Sequence, residues 1–147
     1  MKDPQPTPVR RLDYAPPSHL VDTVDLEFEL GEEHTVVVGR LRVRANPEGD
    51  ASKGLRLDGE LLELIEVKLD GERLGVDRYT VSEEELHIAG PLPEAFTLET
   101  RVHIKPQENT AFSGLYRSSG TFCTQCEAQG FRRITYMLDR PDVMSRY

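Results

Sequence analysis

"VDLEFELGEEHTVVVGRLRVRA", Val24 to Ala45, is the stretch whose reading decides the fold class. Val24, Leu26, Phe28 and Leu30 alternate with Asp25, Glu27 and Glu29, the period of two that a half-buried strand requires. Gly31 to Glu33 reads as a turn. The following run places Val37, Leu41, Val43 and Ala45 inward and Arg40, Arg42 and Arg44 outward. Acids on one strand and arginines on its neighbour can pair across the exposed face, each pair contributing roughly 0.2–1 kcal/mol. The stretch is therefore an antiparallel hairpin.

Working outward, the pattern repeats. Asn46 to Gly54 is a polar loop, and "LRLDG", "LLELIEVKLDG", "RYTV", "ELHIAG" and "FTLETRVHIKP" are further strands. Asp70 to Glu72 and Ser82 to Glu84 are the turns between neighbours. A helix across Asp50 to Val67 is disfavoured, because Gly54 and Gly59 would each cost about 1 kcal/mol in its interior. The pattern predicts an all-β antiparallel sandwich or barrel over residues 20–147. Residues 1–19, with five prolines, read as an extended arm whose Tyr14 docks on the body. Asp139, Pro141 and Asp142 look like the start of a helix. The chain stops one turn later, so we expect it to be part of something longer.

At 147 residues the chain suits one domain. Eighteen basic against 26 acidic side chains give a net charge of −8, which argues against a nucleic-acid partner. No apolar run is long enough to span a bilayer and the start has no signal-like apolar segment, so no membrane partner and a cytoplasmic location are expected. The tail from Asn109 differs in character. It is locally cationic, with Arg117, Arg132, Arg133, Arg140 and Arg146, and it holds Phe112, Tyr116, Phe122, Phe131, Tyr136 and Tyr147.

Cys123 and Cys126 are the only cysteines, at C-x-x-C spacing within "TFCTQCEAQGF". A structural zinc needs four ligands, no second pair exists, and His19, His34, His87 and His103 lie far away in sequence. A redox dithiol would need its first cysteine at a helix N-terminus. If the run is extended, the two thiols point apart while Gln125 and Glu127 project side by side, offering an amide and a carboxylate to a cationic amine. The competing reading is that Glu127 pairs with Arg132 or Arg133 on the surface. No H-E-x-x-H, G-x-S-x-G or phosphate loop is present.

Pro106 to Tyr147 resembles the zinc aminopeptidase N family, in its bacterial alanyl aminopeptidase branch, through "NTAFSGLY", "TQCEAQGFRRITY" and "LDRPDV". "PPSHLVDTVDLEFEL" and "VGRLRV" resemble the family's opening strands more loosely. The resemblance implies the N-terminal domain, a saddle-like pair of β sheets with a short helical turn at its C-terminal end. In such an enzyme this domain covers a thermolysin-like catalytic domain, absent from this chain, that removes N-terminal residues from peptides. It implies zinc in the full-length enzyme, held by H-E-x-x-H and a distant glutamate, and none bound here, so that this chain alone is inactive. It also implies, for the family's Q-x-E, that Glu127 binds the substrate's free α-amino group and Gln125 helps shape the adjoining pocket. The implied partners are peptides with a free N-terminus and the catalytic domain of the same polypeptide. The alternatives are a free-standing β-sandwich module that docks a protein through its aromatic tail, and a redox dithiol protein.

Overall fold

The computed structural model of the chain describes residues 10–147. Residues 1–9 of the expected arm lie outside the described residues. The elements are β1 (His19–Leu30), β2 (Thr35–Ala45), β3 (Leu55–Asp58), β4 (Glu63–Leu69), β5 (Glu72–Arg73), β6 (Tyr79–Val81), β7 (Glu85–Ile88), β8 (Ala95–Ile104), β9 (Gly114–Ser118) and β10 (Thr121–Gln125). Helical structure among the described residues is confined to short 3₁₀ turns, and no helix is long and apolar enough to cross a membrane.

β1 and β2 form the expected hairpin, with Asp25 opposite Arg40 and Val24 opposite Leu41. They head a five-stranded antiparallel sheet in the order β1-β2-β8-β4-β5. A second sheet, β3-β7-β6, supplies Leu55, Leu57, Leu86 and Ile88 to the core shared with Val21, Val24, Val37, Leu41, Leu98 and Val102 of the first. This is a sandwich-like all-β fold. β9 and β10 stand apart as a two-stranded hairpin.

Alternation along β1 and β2 holds with two departures. A register shift between Val21 and Thr23 lets both Val21 and Val24 reach the core, although they are three residues apart. Phe28 and Leu30, expected inward, are 40% and 52% exposed, because the covering layer ends before the hairpin does. Val36 and Val38 are buried on the outward face, where Glu29 and His103 flank the first and Glu27 and Arg101 the second. Long charged side chains cover apolar neighbours with their stems.

The tail is an integral part of the sandwich. Ile134 to Leu138 is buried, and Met137 exchanges backbone hydrogen bonds with Asp58 at 2.8 and 3.0 Å. Gly59 is required there: a Cβ would meet the Tyr136 ring. The helix expected from Asp139 does not form. Its capping acids are engaged elsewhere, Asp139 accepting from Arg132 and Asp142 from Arg140, and the chain instead lies along β1 at Arg146. The helical turn falls at Phe131–Arg133. Among the described residues of the arm, Tyr14 does dock, its hydroxyl donating to Asp142 at 3.1 Å.

Candidate functional site

β9 and β10 pair in register from Thr121 opposite Ser118 to Gln125 opposite Gly114. Phe122 is half-buried against the core and Arg117 lies over its ring, 5.5 Å from the centroid. The strand ends at Gln125. A tight turn follows, closed by the Gly130 N–H donating to the Cys126 carbonyl at 2.9 Å. Glycine permits this closure: a Cβ at Gly130 would lie 2.6 Å from the Gln125 carbonyl oxygen and 2.9 Å from the Cys126 Cα. Gly114, at φ +79°, presses against the Arg133 side chain in the same way.

Gln125 and Glu127 are neighbours here, but strand alternation is not the cause. Glu127 lies past the strand, in the turn, and its N–H donates to the Gln125 side-chain oxygen at 3.1 Å. The amide thus holds the backbone that carries the carboxylate. Both side chains are exposed. The two arginines that could have neutralised Glu127 are committed elsewhere. Arg132 donates to Asp139 at 3.0 Å and lies 3.7 Å from Asp58, and Arg133 donates to Glu60 at 2.5 Å. Among the described residues Glu127 makes no ion pair. Arg117 and Arg140 are likewise paired, with Glu32 and Asp142, so most of the tail's positive charge is balanced.

The cysteines do not form a disulfide. Burial, reinforced by the nearby charge of Asp139, pushes the Cys126 thiol up, the opposite of what a reactive dithiol needs. Among the described residues no group of three or more His, Cys, Asp or Glu side chains is placed to hold a metal ion. His34 and His103, far apart in sequence, meet in the fold: their ring centroids lie 4.4 Å apart, with Glu63 3.7 Å from His103. They help line a cleft of about 450 Å³ with Lys105, Glu108 and Arg133, to which Gln125 and Glu127 do not contribute. The pairing of β2 with β8, which only the fold shows, brings them together: His103 lies opposite Val36, two residues after His34.

No family model matches the chain. Aminopeptidase N of Caulobacter vibrioides is 46% identical over 147 residues, all of this chain and 17% of that protein. Aminopeptidase N of Escherichia coli is 42% identical over 143 residues, 97% of this chain and 16% of its own length. The chain is similar to aminopeptidase N along its whole length. A solved structure of Legionella pneumophila aminopeptidase A in complex with aspartic acid matches with a TM-score of 0.84 at 31% identity, covering 91% of this chain and 16% of that one. The match is to the N-terminal region of aminopeptidase N, and the chain spans only about one sixth of the length of these curated relatives.

Proposed function

We propose that this chain is the N-terminal β domain, residues 20–147, of a cytoplasmic zinc aminopeptidase, where it caps the active site and recognises the free α-amino group of peptide substrates. The observation that carries the reading is the exposed Glu127 carboxylate, without an ion pair among the described residues and seated beside the Gln125 amide in a turn that two glycines allow. A carboxylate kept clear of its neighbouring arginines remains available to a substrate ammonium, and a charge-assisted hydrogen bond of that kind discriminates against an internal peptide bond. The described residues do not fit a zinc site, so in this proposal the metal and its ligands belong to another part of the polypeptide.

The test is Glu127→Gln in the full-length enzyme. Loss of a hydrogen bond to a charged group costs about 1.5–3 kcal/mol, which is roughly a 10- to 150-fold fall in kcat/KM for free-amine aminoacyl reporters. An unchanged kcat/KM would remove Glu127 from substrate recognition.

A further inference from the structure

Asn109 commits its whole side chain to the backbone of one loop. Its amide nitrogen donates to the Ser113 carbonyl at 2.7 Å and to the Leu115 carbonyl at 2.9 Å. Its side-chain oxygen accepts from the Ala111 N–H at 3.1 Å, closing an Asx turn. Among the described residues β9 pairs with β10 alone, so one carboxamide supplies on the other edge of β9 the donors that a neighbouring strand would give. With the Ser113 and Leu115 carbonyls turned to Asn109, alternation turns those of Gly114 and Tyr116 toward β10, where Gly114 lies opposite Gln125. The residues held in this way form the wall of the turn that bears Glu127. A Cβ at Gly130 would lie 2.8 Å from Ser113 Oγ, and one at Gly114 would lie 3.2 Å from the Gly130 carbonyl oxygen. The loop is also strained. Phe112 has φ +53°, a conformation that a non-glycine residue keeps only where its surroundings over-determine it. Asn109 bonds Ala111 on one side of Phe112 and Ser113 on the other.

We propose that Asn109 is a positioning residue for recognition of the substrate's α-amino group. It fixes Ser113 and Gly114, these seat the turn from Cys126 to Gly130, and the turn sets the Glu127 carboxylate. None of the three hydrogen bonds of its side chain goes to Gln125 or Glu127, so its effect reaches them through the backbone. The last link is the Gln125 amide, which accepts from the Glu127 N–H and therefore follows the end of β10 as β9 holds it. The proposal rests on the role given to Glu127 above. A purely structural Asn109 would lower the folded fraction and leave recognition by each folded molecule intact. A positioning Asn109 changes recognition only while Glu127 is there to be positioned.

A double-mutant cycle in the full-length enzyme tests it. Asn109→Ala should lower kcat/KM for free-amine aminoacyl reporters by about 10- to 100-fold, the scale of a misplacement near 1 Å. In a Glu127→Gln background the same substitution should cost less than about 2-fold. Asn109→Asp keeps the acceptor for Ala111 and removes only the two donors, so it repeats the test with the Asx turn intact and should give the same pattern. An equal loss in both backgrounds would make Asn109 a structural residue only and overturn the proposal, as would wild-type kcat/KM in either Asn109 variant. An unchanged kcat/KM in Glu127→Gln alone would remove Glu127 from recognition and the positioning role with it. That failure is read from a different variant than a failure of Asn109.

Discussion

Three glycines sort close packing from backbone strain at the level of single residues. Gly114 and Gly120 both have φ in the left-handed region, +79° and +84°, where a side chain costs roughly 1–2 kcal/mol. They differ in their surroundings. A Cβ at Gly114 would sit 2.7 Å from the Arg133 Cβ, whereas one at Gly120 would meet nothing within 4 Å. Gly114→Ala should therefore destabilise by about 1–3 kcal/mol more than Gly120→Ala in urea unfolding, the range typical of overpacking. Equal losses would mean that the hairpin can slide away from Arg133. Gly130 belongs with Gly114: it too is held against backbone, and it brings the turn bearing Glu127 close under Gln125.

Arg132 acts at the level of elements. It joins the 3₁₀ turn at Phe131–Arg133 to Asp139 and Asp58, and so ties the tail to the end of β3. Its side chain is 22% exposed and that of Asp139 is 13%. Arg132→Ala strands two partly buried acids, and we expect a loss of about 1–3 kcal/mol by chemical denaturation. Arg44→Ala removes an exposed pair with Asp22 and should cost no more than about 1 kcal/mol. The ordering of the two variants is the check. A larger loss for Arg44→Ala would show that the tail is held by its apolar residues alone.

Acid stability belongs to the whole molecule. His19 is fully buried with its ring edge-on to Phe96, and burial pushes its pKa below the ordinary value. The folded state therefore binds fewer protons than the unfolded state below about pH 6.5, so stability is complete above that pH and declines as pH falls. Asp142 answers at lower pH. The Arg140 hydrogen bond, opposed by burial and aided by Tyr14, holds its carboxyl below the usual range, so its contribution is lost only as pH drops below about 4. His19→Gln should abolish the decline between about pH 6.5 and 5 in thermal melts and leave the later one. Persistence of the first decline in the variant would assign it to other groups.

How much could be read beforehand follows from the range of each interaction. Side-chain alternation and turn chemistry are properties of a few consecutive residues, so Val24 to Ala45 announced its hairpin and Asp70 to Glu72 its turn. The nearness of Gln125 and Glu127 was also legible, as two positions two apart in a short extended run, although the strand proved to end between them. The partners of the arginines were not legible. Arg133 meets Glu60 and Arg132 meets Asp58, residues more than 70 positions away, and only the docking of the tail on β3 brings them together. The exposure of Phe28 and Leu30 was hidden for the same reason, because alternation names the face of a strand and not whether another layer covers it. By itself the sequence determined the strands, the turns and the adjacency of the amide and carboxylate. Tertiary structure alone decided which charges cancel, which apolar face stays open and that Glu127 is left without a cationic partner among the described residues, since each depends on segments that meet only when the chain is folded.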